Sequence, residues 1–439
     1  MATAAPPTAP AATAPPQAQP RISPSCPEET AAILRAAAAH DAPLLKKLLD
    51  EPGKASVQDP ETRETPLHAA VRAAAGTAAD DTATMDLARK TLTELFWSGA
   101  IWNDVDDKDE TPGCVALREG LDDLYAMCRD AGVRAEMLFG LMDGYEALSS
   151  GDSEMEQEEA VEVVDLDIEN GEEAPELVDV DALKAAVVAD APTEKHTVES
   201  EAYLASKLTY NAGALVDDAG NGVMMAWETD IMRRSVDALL PELPAGKRIL
   251  NVGFGMGIID SMFAETKPSR HHIIEAHPAV IQHAKTAPDS KFGAAWEESG
   301  PEPGAFKMHQ GRWQDVCREL LEAGEVYDAI YFDTFGEDYS QLRMFFTEFI
   351  PGLLDSEGRF GFFNGLGADR RICYDVYINV SEMHLAEAGL DVDWTDVPVD
   401  MDRMAEAGKG EWEGVKRRLS PTSVHLFGLM IQTCVQYCH

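Results

Sequence analysis

Apolar positions change their period along the chain. From about Glu28 they recur at helical spacing, as in Ile33, Leu34, Leu44, Leu45, Leu48 and Leu49. From about Glu199 they gather into short runs bounded by turn residues: 247–253 (KRILNVG), 271–276 (HHIIEA), 327–334 (YDAIYFDT), 359–364 (RFGFFN) and 424–432 (VHLFGLMIQ). Helical patterns lie between them at 258–265, 279–285, 341–354 and 374–388. Such alternation predicts an α/β unit with a doubly wound, mostly parallel sheet, whose ligands sit at the carboxyl ends of the strands.

The helical half carries its own motif. Thr65-Pro66-Leu67-His68-Ala69-Ala70 resembles the start of an ankyrin repeat, and a weaker copy opens at Thr111-Pro112-Gly113-Cys114. Gly53 and Gly99 stand twelve residues upstream of the two threonines, where a preceding helix is expected to end. Gly132 follows Gly99 by 33 residues, the ankyrin period, and the middle repeat would carry extra residues within Ala73 to Thr84. An all-α, ankyrin-like module is therefore expected over residues 28–148.

Composition divides the chain further. Residues 1–27 are rich in Ala and Pro and read as a disordered tail without the basic and Leu-rich parts of a secretory signal. Residues 149–198 read as an acidic linker, because 151–181 hold 14 acidic side chains and no basic one. The catalytic unit is expected over 199–439. A net charge of −42 argues against direct nucleic-acid binding and for a cationic partner, while 45% hydrophobic residues still allow large cores. The seven scattered cysteines suggest reduced thiols in cytoplasm or nucleus, and they offer no metal-site spacing. No apolar run approaches the length of about 18 residues that a membrane helix needs.

The strand ends carry the chemistry. After 247–253 the chain reads Gly253-Phe254-Gly255-Met256-Gly257, and Ile258 stands where a dinucleotide fingerprint needs its third glycine. This spacing favours S-adenosyl-L-methionine over a nicotinamide cofactor. Glu275 ends the second run 20 residues after Gly255, placed to accept ribose hydroxyls, and Asp333 ends the run 327–334. Trp313 is placed to flank an adenine ring.

Residues 222–232 (GVMMAWETDIM), with RILNVGFGMGI, HHIIEAHP, GRW and YDAIYFDTF, make residues 200–439 resemble guanidinoacetate methyltransferase and its relatives. With ankyrin-like repeats in front, the whole chain is similar to the fungal type IV protein arginine N-methyltransferases, which methylate the internal (delta) guanidino nitrogen. The resemblance implies a Rossmann-like class I methyltransferase sheet. It also implies that Tyr203, Met224 and Met232 line the methionine end of the cofactor. Gly253, Gly255, Met256, Gly257, Ile258, Ile259, Asp260 and Ser261 would lie along it at the turn. Glu275, Ala276 and His277 would hold the ribose side, Trp313 and Gln314 would face the adenine, and Glu228 and Asp333 would grip the guanidino group. Gln314 replaces an acidic residue common in the guanidinoacetate enzymes.

Chemistry alone gives the two carboxylates the same task. A guanidinium is planar, has a pKa above about 12 and donates only, so two carboxylates can bind its terminal NH2 groups and leave the internal nitrogen facing a methyl donor. Either Asp333 or Glu228 would take the released proton. The common protein arginine methyltransferases carry two glutamates on a long loop and a C-terminal barrel, for which 334–339 and the short stretch after Gln432 leave no room. The expected substrate is a basic protein, ribosomal as the resemblance implies, with a further protein partner possible at the repeats. A small guanidino compound is the second reading, and a non-catalytic scaffold the third.

Overall fold

A computed structural model describes residues 19–75, 82–149, 200–211, 213–287, 290–363, 370–398 and 428–436. The chain divides into two compact units, residues 1–193 and 194–439. Residues 1–18 of the expected tail and the acidic segment 151–181 lie outside the described residues, as does 424–427 of the last expected strand; the rest of the tail, 19–27, instead packs on the first unit, where Asp59 accepts the Ser23 N–H at 2.7 Å and Arg21 pairs with Asp106.

The described part of the first unit is helical, in three successive pairs. These are α1 (Glu28–Ala38) with α2 (Ala42–Leu48), α3 (Pro66–Ala74) with α4 (Thr82–Trp97), and α5 (Pro112–Arg118) with α6 (Asp122–Ser149). First helices stack on first helices, α1 on α3 and α3 on α5; second helices do the same, α2 on α4 and α4 on α6. The Thr-Pro signals start helices for a local reason. Thr65 Oγ1 accepts the His68 N–H at 3.3 Å and Thr111 Oγ1 accepts that of Cys114 at 3.1 Å, while each proline fills a first-turn position that needs no donor. His68 Nε2 donates to the Glu110 carbonyl at 2.8 Å, joining one pair to the next, and burial lowers its pKa to about 4.

Two of the three glycine expectations change. Gly99 does follow the end of α4, but Gly53 lies beyond α2 and opens a 3-10 turn, Lys54–Ser56. Gly132 is interior to α6, which runs on to Ser149 because no turn chemistry surrounds it.

The loops before α3 and α5 are joined by charge. Glu64 and Asp106 side chains are fully buried, and Arg72 pairs with both while Arg21 reaches Asp106 at 3.1 Å and Asp107 at 2.5 Å. Burial raises the Glu64 pKa, so its charge depends on these cations. Replacing Arg72 by Met removes the cation that Glu64 and Asp106 share, leaving Arg21 alone to offset them, and should cost the helical unit about 3 kcal/mol. Chemical denaturation followed by far-UV circular dichroism measures this; an unchanged first transition would show that Arg72 is dispensable.

The second unit opens with α7 (Ser200–Ala205) and a small antiparallel sheet, β1 (Thr209–Asn211), β2 (Ala214–Val216) and β3 (Gly222–Met225). A 3-10 turn, Ala226–Glu228, leads into α8 (Thr229–Leu239). The main sheet follows, with β4 (Arg248–Val252), β5 (Arg270–Glu275), β6 (Phe306–Gln310), β7 (Tyr327–Phe332), β8 (Leu354–Phe362), β9 (Leu390–Pro398) and β10 (Gly428–Gln436). Its order is β6-β5-β4-β7-β8-β10-β9; the first five are parallel and β10 runs antiparallel to both neighbours.

Alternation along β4 divides the core into two layers. Ile249 faces a layer with Met232, Val236, Phe263 and Val280, whereas Leu250 and Val252 face Val316, Leu320, Phe345 and Leu385. Helices thus cover both faces, as a buried parallel sheet requires. The connections after β4 and β5 build toward β6, and the chain then returns to place β7 on the other side of β4. The switch point lies between the carboxyl ends of β4 and β7.

The expected strands recur at β4, β5, β7, β8 and β10 with small shifts. Sequence pattern missed β6 (FKMHQ) and β9 (LDVDWTDVP), whose polar positions break the apolar runs.

Candidate active site

The switch point is closed to side chains at its centre. The Asp333 N–H donates to the Val252 carbonyl at 2.8 Å and the Gly253 N–H to that of Ile274 at 2.9 Å, drawing three strand ends together. Gly253 has φ +98°, and a Cβ there would lie 1.9 Å from the Asp333 carbonyl oxygen. Only glycine fits. Gly257, also left-handed, ends the turn, and the next helix, α9, spans Ile258–Glu265.

Glu275 fastens this turn. Its Oε2 accepts the N–H groups of Phe254 at 3.0 Å and Gly255 at 3.4 Å, and Oε1 accepts that of His277 at 2.7 Å. Burial raises its pKa while these donors oppose the shift, the His277 bond foremost. Carboxylate oxygens hold further lone pairs, so Glu275 can bind the turn and still accept ribose hydroxyls.

Other expected side chains have different orientations. Asp260 is fully buried and faces away from the crevice: Asn251 Nδ2 bridges it, at 2.8 Å, to the Gly253 carbonyl, and His271 Nε2 lies 3.0 Å from its other oxygen. Ile259 packs in the apolar layer, and Ser261 Oγ donates to the Gly257 carbonyl at 2.8 Å. For these residues only the backbone follows the turn, because a helix that starts there turns part of each revolution into the core.

Trp313 lies in the aromatic layer. Instead of presenting its face to a base, the indole is buried edge-on against Phe332, Phe345 and Phe349, with Nε1 donating to Glu337 at 2.8 Å. It starts α10 (Trp313–Glu322), and its first-turn position points it under the helix.

The segment before β4 supplies a wall. Met224 Sδ accepts the Met256 N–H at 3.1 Å and lies over Gly255, and Met232 is buried in the layer beneath. The Tyr203 ring packs against His277 and Phe335, with centroids 5.0 and 5.1 Å apart. His277 Nε2 donates to the Ser206 carbonyl at 3.2 Å, and Arg312 pairs with Glu201 at 2.6 Å. Residues 201–206 therefore touch the loops that follow β5, β6 and β7. Tyr210, which sequence reasoning passed over, donates to the Gly255 carbonyl at 3.3 Å and stacks on His283.

The charges of the two proposed guanidino carboxylates act on one group. Tyr331 precedes Asp333 by two strand positions, so their side chains leave the sheet on the same side. The Tyr331 hydroxyl is buried and its pKa pushed far up, by burial first and then by the negative charges of Asp333 and Glu228. Glu228 ends the 3-10 turn at the start of α8. Burial alone raises the Asp333 pKa to about 7.

Glu337 is the acid that sequence reasoning missed. It accepts from Trp313 Nε1, from Thr334 Oγ1 at 2.7 Å and from Gln314 Nε2 at 3.3 Å, although these partners lie up to 24 residues away. Among the described residues, no group of three His, Cys, Asp or Glu side chains could hold a metal ion.

A glycine turn after the first parallel strand, an acid ending the second and a carboxylate ending the fourth define a class I methyltransferase whose cofactor is S-adenosyl-L-methionine. The residues fit that group: the turn offers bare backbone, Glu275 offers acceptors and Met224 an apolar thioether wall.

The sequence profile of the guanidinoacetate N-methyltransferase family matches residues 198–384. Protein arginine N-methyltransferase 2 of Neurospora crassa is 61% identical over 414 residues, 91% of this chain and 94% of that protein. Its namesake from Gibberella zeae is 57% identical, with 91% of each chain covered. Among solved structures, Aeropyrum pernix fibrillarin with natively bound S-adenosyl-L-methionine aligns at 13% identity and a TM-score of 0.31, over 53% of this chain and 83% of that one. The chain belongs to the protein arginine N-methyltransferase 2 family.

Gly253 offers a direct test of the crevice. A Gly253→Ala change must part β4 from β7, so S-adenosyl-L-homocysteine should bind at least about tenfold more weakly and the unit should lose about 2 kcal/mol. Calorimetry and thermal melting measure both effects; wild-type values would mean that the contact is not limiting.

Proposed function

We propose that this chain transfers a methyl group from S-adenosyl-L-methionine to the internal (delta) guanidino nitrogen of an arginine in a basic, ribosomal protein. The observation that carries this reading is the close contact of Gly253 with Asp333, which sets a carboxylate at the glycine turn, while Glu228 ends the 3-10 turn before α8 and both charges act on the buried Tyr331 hydroxyl.

When bound, S-adenosyl-L-methionine supplies an electrophilic methyl group on a positively charged sulfur. Glu228 and Asp333 hold the terminal NH2 groups of the guanidinium by charge-assisted hydrogen bonds. This orients the internal nitrogen toward the methyl carbon, and the wall built by Met224, Tyr203 and Phe335 excludes water. As the nitrogen–carbon bond forms and the sulfur–carbon pair leaves with sulfur, the nitrogen loses a proton. We assign its acceptance to Asp333, because burial raises that carboxylate's proton affinity.

The repeats are read as ankyrin-like on the strength of paired helices opened by Thr65 and Thr111, with a surface for a protein partner. Cytoplasm and nucleus are the proposed locations; among the described residues no helix is long and apolar enough to cross a membrane. The acidic segment 151–181 would raise the local concentration of a basic substrate, and the substrate's positive charge takes the place that nucleic acid cannot.

Methylation of guanidinoacetate is the competing reading, favoured by the matching family profile. Incubation with guanidinoacetate and with an Arg-rich ribosomal extract, followed by fragmentation mass spectrometry, separates them. A single methyl group on the internal nitrogen of a protein arginine is expected; labelled creatine with unlabelled protein would refute the proposal.

Glu228→Gln and Asp333→Asn should each lower kcat by at least about a thousandfold, with S-adenosyl-L-homocysteine affinity within about threefold of wild type. Wild-type turnover in either would remove that residue from the reaction. The pH dependence follows from Asp333. A raised pKa means that the carboxyl is protonated below about 7 and cannot take a proton, so kcat/KM should rise toward a plateau above that value. A flat profile down to about pH 5.5 would exclude Asp333 as acceptor.

A further inference from the structure

The amide of Gln314 has a fixed polarity. Its Nε2 donates to Glu337 Oε1 at 3.3 Å and to Gln341 Oε1 at 2.9 Å, which uses both of its hydrogens. Glu337 as a carboxylate only accepts, so a reversed amide would set oxygen against oxygen. Glu337 is itself held by the Trp313 Nε1–H and the Thr334 hydroxyl, two donors fixed by the aromatic layer and by the end of β7. Gln341 is turned the same way, since its Nε2 faces Ser340 Oγ at 3.4 Å. The half-buried Gln314 is left with a carbonyl oxygen that no described residue occupies.

The site fixes which part of the cofactor can reach that oxygen. In an adenosyl sulfonium the sulfur sits on the 5′ carbon and the base on the opposite side of the sugar. If the sulfur faces Asp333 beyond β7 and the sugar faces Glu275 beyond β5, the base runs on toward residues 311–314, which follow β6 at the edge of the sheet. The exocyclic amine of adenine is a donor there, whereas hypoxanthine presents an oxygen at the same position.

We propose that Glu337 is a positioning residue that locks the Gln314 amide with its carbonyl oxygen outward, so that the site accepts a hydrogen bond from the adenine amine and rejects a 6-oxo base. This rests on the methyltransferase reading of the crevice and adds a base-recognition device to it. The acid is delivered from the loop after β7, although the residue on α10 that reads the base is itself uncharged.

Calorimetric titration of the full chain with S-adenosyl-L-homocysteine and with S-inosyl-L-homocysteine tests it without turnover. The wild type should prefer the adenosyl ligand by about 10- to 100-fold. In Glu337→Gln a neutral amide can accept or donate, which frees Gln314 to reverse, and the preference should shrink to about threefold or less. Gln314→Leu should abolish the preference while Glu337 keeps its Trp313 and Thr334 partners, so folding is preserved; thermal melting of both variants checks this. An undiminished preference in Glu337→Gln at wild-type melting temperature would overturn the positioning role, and an undiminished preference in Gln314→Leu would overturn base reading at this residue. If the wild type binds neither ligand, the cofactor crevice itself is refuted and the proposal goes with it; if it binds both equally, only the proposal is.

Discussion

The catalytic unit depends on the contact between a glycine without a side chain and the backbone of Asp333. Because Gly253 lets β4 approach β7 to hydrogen-atom distance, the strand end that carries Asp333 is fixed against the turn that is to cradle the cofactor. Glu275 then ties the same turn to β5 by accepting two of its backbone N–H groups, while that of His277 holds the carboxylate in place. The proposed nucleophile and cofactor sites therefore share one network of backbone contacts. Positioning of this kind is the main resource of a transfer reaction that needs no covalent enzyme intermediate.

Buried negative charge is the second constraint. Burial makes the Asp333 carboxylate costly and raises its proton affinity, and its charge and that of Glu228 both act on the buried Tyr331 hydroxyl. The group that relieves this cost must be cationic and able to donate to two acceptors, which is what a guanidinium does. Glu337 resolves the same problem differently, with three internal donors, and so remains available for holding Gln314. Glu64 and Asp106 in the helical unit use Arg72 and Arg21.

Residues whose role comes from backbone shape were legible in the sequence. The glycines of the turn, Glu275 and Asp333 announce themselves as strand ends, and Thr65 and Thr111 as helix caps. Side-chain direction was not legible. The resemblance put Trp313, Ile259 and Asp260 beside the cofactor; the first turn of a helix sends some side chains to the crevice and others to the core, and all three of these are buried. Glu337 escaped notice because its partners meet it only after β6 and β7 are placed in one sheet. The edge strand β6 and the strand β9 were hidden by their Lys, His and Asp positions, which are tolerated where a strand is half covered. Gly132 fitted a repeat period and lies inside a helix, so period without turn chemistry was a weak signal.

The central claim is that two carboxylates present the internal nitrogen of a guanidinium to the cofactor's sulfur. A crystal structure of the full chain with S-adenosyl-L-homocysteine and an arginine peptide tests it most directly. The terminal guanidino nitrogens are expected on Glu228 and Asp333, with the internal nitrogen as the one nearest sulfur. A terminal nitrogen facing sulfur, with either carboxylate turned away from the guanidinium, would contradict it.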